Sequence, residues 1–317
     1  MFPLSKKHAA GLVWAATAIT IWSGSLVMLR LGVTTSLNAY DLTALRFGVA
    51  ALLLAPVIYR HGFALERLGA AGALTMVVGF GAPYILLVSF ALQTAPAFAA
   101  GSINPGVMAI VSILLGWQVF GDKIGPVRTL GIMTILVGTS LFANLLGKGA
   151  SPVGYFVLVL TGIMWAGYAL MVRRFGIRAL HATAIIAVGS AILYLPIYAI
   201  ALPKQLPAAP VSDIVTQAIF QGVLVSAVAV FAFNRSAEHL GPIAGTTLPA
   251  LIPLVTLVLG AVFLGEPTGN LEVISAVLIG AGVAMALSRS QKSMATLTTM
   301  VRRTAGKATS APMDRER

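Results

Sequence analysis

Residues 100–141, AGSINPGVMAIVSILLGWQVFGDKIGPVRTLGIMTILVGTSL, return 144 positions later as residues 244–285, AGTTLPALIPLVTLVLGAVFLGEPTGNLEVISAVLIGAGVAM. Ten of these 42 positions are identical without a gap: Ala100/Ala244, Gly101/Gly245, Pro105/Pro249, Val111/Val255, Leu115/Leu259, Gly116/Gly260, Gly121/Gly265, Gly125/Gly269, Ile135/Ile279 and Gly138/Gly282. Half of the matches are glycines, the residue that recurs where a backbone turn or close approach recurs. An acidic residue follows the same glycine in both copies, as Asp122 and Glu266. Trp22-Ser-Gly24 meets Trp165-Ala-Gly167 at an offset of 143, and Pro56 meets Pro196 at 140.

The repeated unit is made for lipid. Of 317 residues, 58% are apolar and 9% charged, with a mean hydropathy of +0.94. A soluble domain carries roughly 25% charge. That excludes a soluble enzyme, a disordered chain and a fibrous protein. A membrane span needs about 20 mostly apolar residues. Apolar stretches supply one span each at 8–29, 40–59 (interrupted only by Asp41 at its start and Arg46), 129–147, 152–172, 181–202, 214–234, 242–264 and 271–288, and two within 68–121, divided at Gln93-Thr94-Ala95-Pro96. The expected architecture is an all-α integral membrane protein of ten transmembrane helices. Lys6 and Lys7 precede a first span that is retained, because no cleavage site with a soluble domain behind it follows.

With the N-terminus inside, seventeen Lys and Arg fall in cytoplasmic segments and three, Arg30, Lys148 and Lys204, outside. This bias puts both termini in the cytoplasm. It also accounts for the net charge of +12, so no nucleic-acid partner is inferred. Five spans per half is an odd number, so the halves 1–145 and 150–288 have opposite orientations, and 289–317 is a basic cytoplasmic tail. Inverted repeats of this kind recur in secondary transporters that alternate access around a midplane site.

Trp22 to Gly24 in span 1, Ala44-Leu-Arg-Phe47 in span 2, and halves closing with Phe120-Gly-Asp122 and Leu264-Gly-Glu-Pro267 resemble, in order and duplication, the EamA-type permeases of the drug/metabolite transporter superfamily. The resemblance covers residues 9–288 and implies a small-metabolite permease, often an exporter. Spans 1–4 and 6–9 would enclose a central cavity, with spans 5 and 10 peripheral. The chain departs from the pattern at Asp122-Lys123, where Glu-Pro is usual.

Arg46 is the one charge that must lie inside the hydrocarbon, where an unpaired Arg costs several kcal/mol. It either binds a substrate carboxylate or phosphate, or snorkels outward or pairs with Asp41. Trp22, Tyr84, Trp165, Tyr168 and Tyr194 together offer an aromatic cavity lining, although each taken singly is more often helix packing or an interfacial anchor. Pro105, Pro249 and Pro253 each remove a helical hydrogen bond beside the polar residues Asn104 and Thr246, which suggests helix breaks at a shared site or static kinks. Asp122 and Glu266, at the membrane edge, read as loop stabilisers in preference to proton-coupling groups. Small residues such as Gly131, Gly138, Gly280 and Gly282 on spans 5 and 10 offer a homodimer contact. The tail reads as plain disorder, with a short basic helix on the inner leaflet as the alternative.

No phosphate loop, nucleophile elbow or His-Glu-x-x-His motif is present, and the four histidines lie near helix ends. The expectation is therefore a multi-pass inner-membrane permease for a small organic metabolite, such as an amino acid or related compound, acting as an exporter. It is not an enzyme, takes no cofactor or metal, and has the substrate and the lipid bilayer as partners. The alternative is a non-transporting sensor or assembly component on the same scaffold.

Overall fold

The structure is a computed structural model that describes residues 6–143, 152–240, 242–266 and 268–287, with side chains given for 8–141, 152–240, 249–266 and 268–287. The tail 289–317 and the side chain of Thr246 lie outside the described residues.

Helices α1 (Lys6–Thr34), α2 (Ala39–His61), α3 (Leu65–Phe80), α4 (Ala82–Ala91), α5 (Ala97–Phe120) and α6 (Pro126–Ala143) form the first half. The second half contains α7 (Pro152–Phe175), α8 (Ala179–Ala201), α9 (Val211–Gln217), a π-helical stretch Ala218–Val228, α10 (Ala229–Leu240), α11 (Pro242–Leu264) and α12 (Asn270–Leu287). Among the described residues, every regular element is helical. Eight segments are long and apolar enough to cross a membrane, and Pro126–Leu141 and Pro249–Leu264 are shorter apolar helices in the fifth and ninth places. They fall on the ten segments marked in the sequence. The outward surface is apolar, with Leu52 and Ile200 79% and 87% exposed, as expected of helices whose solvent is lipid.

The halves interlock rather than sitting apart. The main seams run between them: α6 against α12, α2 against α8, α5 against α7, and α1 against both α10 and α11. At the end where α1 starts, here the near end, Arg67 donates to the Phe175 carbonyl (2.6 Å) and His181 Nε2 lies 2.8 Å from the Gly62 carbonyl. At the far end, Asn38 caps α2 in a reciprocal box with Asp41, the Asp41 amide donating to Asn38 Oδ1 (2.9 Å).

One span is broken on purpose. Gly81 separates α3 from α4, and Pro83 lies in the first turn of α4, where its missing N–H costs nothing. The freed Ala82 amide donates to Ser190 Oγ (3.0 Å), and a Cβ at Gly81 would lie 2.2 Å from that same oxygen. The prolines anticipated as helix breaks behave differently. Pro105 lies within α5, and Pro249 and Pro253 within α11; each helix runs on across them.

The glycines of spans 5 and 10 are used within the chain. A Cβ at Gly131 would lie 2.8 Å from the Gly282 carbonyl oxygen, and one at Gly282 would lie 2.7 Å from Ile135 Cγ1 and 2.9 Å from the Gly131 carbonyl oxygen. These glycines therefore bring α6 and α12 backbone to backbone and do not present an outward dimer face. Gly282→Leu is expected to cost roughly 3 kcal/mol, since a backbone carbonyl cannot rotate away from the added bulk. Thermal unfolding in detergent would show this as a melting point lowered by several degrees. An unchanged melting point would mean that the crossing is not tight.

Candidate functional site

Arg46 lies on α2 roughly 10 Å from the far end of its helix, at ~1.5 Å per residue. It neither snorkels nor meets Asp41. The side chain is 8% exposed, and its Nη1 donates to Gln221 Oε1 (3.0 Å) and Ser25 Oγ (3.3 Å). Ser25 and Gln221 also hold each other: Ser25 Oγ donates to Gln221 Oε1 (2.9 Å), and Gln221 Nε2 donates to the Ser25 carbonyl (3.0 Å). The Arg46 Nε is buried without a partner, and among the described residues Arg46 makes no ion pair. A buried cation is thus held by neutral groups alone.

Gln221 reaches this point because it lies in the π-helical stretch, whose wider turn re-aims side chains relative to an α-helix. Both Gln221 and Ser25 were missed from sequence. The available signal was the pair Gln217 and Gln221, two amides one helical turn apart in an apolar span.

Beyond Arg46 the polar layer continues. Tyr84, near enough to couple electrostatically to Arg46, accepts a hydrogen bond from Asn104 Nδ2 (3.2 Å), and Asn104 Oδ1 accepts from Thr161 Oγ1 (2.8 Å). The Gly81 break aims Tyr84 inward, and Gly162 lets α7 approach the Asn104 carbonyl, 3.1 Å from where its Cβ would lie. Ser25, Arg46 and Gln221 thus join α1, α2 and the π-helical stretch, and Tyr84, Asn104 and Thr161 join α4, α5 and α7.

An aromatic shelf adjoins the layer. Phe80 lies against Tyr84 (ring centroids 4.8 Å apart), Trp165 (5.3 Å) and Tyr168 (4.9 Å, stacked). Three of the five aromatic candidates therefore gather around Phe80, itself not anticipated. The other two lie elsewhere. Trp22 lies against Phe233 (5.4 Å), while Tyr194 donates to the Tyr40 carbonyl (3.0 Å) in the α2–α8 seam.

The duplicated carboxylates sit at opposite ends. Near-end Asp122 accepts two hydrogen bonds from Arg173 (2.6 and 2.9 Å), and Arg173 lies over the Phe120 ring at 4.1 Å. Far-end Glu266 accepts from the Ala97 amide (2.7 Å) and approaches Arg30 at 3.8 Å. The Arg173 guanidinium holds Asp122 below the usual carboxylate range, whereas burial pushes Glu266 up against the opposing pull of the Ala97 amide and Arg30. By linkage, Asp122 stabilises the fold above the ordinary Asp range, and this is lost as pH falls through its lowered value. Glu266 runs the other way: its burial costs stability as pH rises from the ordinary Glu range through its raised value.

The sequence pattern of the EamA-like transporter family matches residues 9–144 and again 152–288. The chain belongs to the EamA-like transporter family. An uncharacterized protein of Pseudomonas aeruginosa is 26% identical over 260 residues, covering 81% of this chain and 87% of that one. A solved crystal structure superposes with a TM-score of 0.61 at 20% identity, over 88% of this chain and 96% of its own, a likeness that speaks for the fold. The two matched blocks fall on α1–α6 and α7–α12, so this EamA-like protein is a multi-pass membrane protein built as a two-repeat, all-helical scaffold. Family and fold point to a transporter rather than an enzyme.

Proposed function

We propose that this EamA-like protein is an inner-membrane permease that exports a small organic metabolite carrying an anionic group, such as an amino acid or related compound, by alternating access. Both termini lie in the cytoplasm in this reading, so the near end is the cytoplasmic one. The observation that carries it is Arg46: a buried guanidinium with an unpartnered Nε and no counter-carboxylate among the described residues. A cation kept in hydrocarbon without a counter-charge is costly, and the cost is recovered when a transported anion supplies the missing charge. Ser25, Gln221, Tyr84 and Asn104 would orient the head group, and the Phe80, Trp165 and Tyr168 rings would receive its apolar part.

The test is thermal stability of the purified protein against small organic acids, their neutral amides, sugars and nucleosides, followed by counterflow in liposomes with any hit. A ligand present at about 100 times its dissociation constant should add roughly 2.7 kcal/mol. Stabilisation by an acid and not by its amide, with flux, is the expected result. Equal stabilisation by the amide would overturn the role of Arg46. No ligand and no flux at millimolar concentrations would favour the non-transporting sensor.

A further inference from the structure

The repeat duplicates more than the carboxylates. At the offset of 143 that superposes Trp22 on Trp165, Arg30 falls on Arg173. The structure joins these duplicated charges across the halves. Asp122 of the first half pairs with Arg173 of the second at the near end, and Glu266 of the second pairs with Arg30 of the first at the far end. The helices bearing them are paired in the same way, α5 with α7 and α11 with α1.

The local construction also repeats. Gly121 and Gly265 end α5 and α11 with φ of 67° and 62°, a left-handed conformation that glycine adopts at little cost. The next amide then folds back, Asp122 onto the Gly116 carbonyl and Glu266 onto the Gly260 carbonyl, both at 3.2 Å. Gly116 and Gly260 leave room for the returning carboxylate: a Cβ there would lie 2.9 Å from Asp122 Oδ2 and 2.6 Å from Glu266 Oε2. Glycine, glycine, carboxylate and a cross-half arginine thus form one device built twice.

The two copies are not in the same state. The near-end pair is bidentate and capped by the Phe120 ring. The far-end pair is slack: Arg30 approaches through Nε at 3.8 Å while its Nη1 donates to the Leu92 carbonyl, and Glu266 Oε2 has no partner. A cavity of about 170 Å³ opens at that same far end, lined in part by Met28, Gly32, Asp213 and Gln217. In an inverted repeat the opposite state follows by exchanging the conformations of the halves. Exchange would loosen the near pair and tighten the far one.

We infer that Asp122–Arg173 and Arg30–Glu266 are the two gate latches of the transport cycle, each closing one end of the central site while the other is slack. This rests on the alternating-access reading above.

The chain has no cysteine, so a single reporter can be introduced cleanly. Ser25→Cys, beside Arg46, would be labelled in oriented liposomes with a membrane-impermeant methanethiosulfonate applied to one face at a time. Asp122→Asn or Arg173→Gln is expected to raise labelling from the near-end face by about fivefold, the population shift that loss of an ion pair of this exposure can produce. Glu266→Gln or Arg30→Gln should raise it from the far-end face instead.

The charge-swapped pair Asp122→Arg with Arg173→Asp should restore the parent pattern, which a merely structural role for either residue would not predict. It also serves if the single variants fail to fold. Labelling that ignores both pairs, changes on the same face for both, or is not restored by the swap would overturn the latches. The readout needs no substrate. With flux read on the parent protein, whose Ser25 is intact, side-selective labelling without flux of any solute would retain the latches and discard the transport reading, whereas flux without side-selective labelling would do the reverse.

Discussion

Arg46→Met is expected to leave the protein as stable as the parent or more so, while removing its affinity for an anionic ligand. Ordinarily, deleting one member of a buried polar cluster strands the others. Here Ser25 and Gln221 already satisfy each other through two hydrogen bonds at 2.9 and 3.0 Å, so neither is orphaned when the guanidinium leaves. The substitution removes a buried charge that no carboxylate among the described residues neutralises. Replacing buried charges by apolar residues of similar volume is commonly neutral or stabilising by about 1–4 kcal/mol. Binding moves the opposite way, because removing one partner of a desolvated charge pair costs about 2–5 kcal/mol, or at least a 30-fold loss of affinity. Arg46→Lys should keep the charge but lose the planar fork, giving intermediate affinity. Thermal unfolding in detergent and ligand titration on the same preparations check both halves of the claim. A variant that loses more than about 1 kcal/mol would show that Arg46 supports the fold, contrary to this account.

The contrast between Arg46 and its partners also shows what a sequence of this kind carries. Arg46 stood out because a charge in the middle of a span has few reasons to be there. Ser25 and Gln221 lie 196 residues apart, and nothing in the local pattern couples them; only the assembled bundle does. The eight long apolar helices and the two shorter ones were legible because hydropathy over about 20 residues is a strong signal. The π-helical stretch that aims Gln221 was not, since its apolar composition is the same as that of an α-helix. The glycines of spans 5 and 10 announced a close helix approach, but whether the partner lay in the same chain or a second copy depended on topology. Most telling is Arg30 with Arg173. Both were visible at the repeat offset, yet they lie in the first span of each half, outside the best-matching blocks. Their pairing with the carboxylates of the opposite half became apparent only once the halves were seen to interlock.

Asp41→Ala carries the largest stability loss expected anywhere in the structure. Asp41 is fully buried at the start of α2 and serves three donors: Tyr198 Oη on Oδ1 (2.6 Å), and the Gln205 and Asn38 amides on Oδ2 (3.0 and 3.2 Å). It therefore ties α2 to α8 and to the segment 202–210, across the seam between the halves, five residues before Arg46. The alanine variant leaves all three donors without their acceptor and also dismantles half of the Asn38 capping box. With about 1–3 kcal/mol for each stranded buried group, and partial relief by water at the helix end, the net cost should be roughly 3–5 kcal/mol. Tyr198→Phe removes one donor together with its need and should cost only about 1 kcal/mol. Asp41→Asn keeps an acceptor oxygen but adds two donors, and should fall between. Chemical unfolding of the three variants in one detergent gives the order directly. An alanine variant within about 1 kcal/mol of the parent would mean that the three donors find water instead, and that α2 owes its register to apolar packing against α8 and not to this carboxylate.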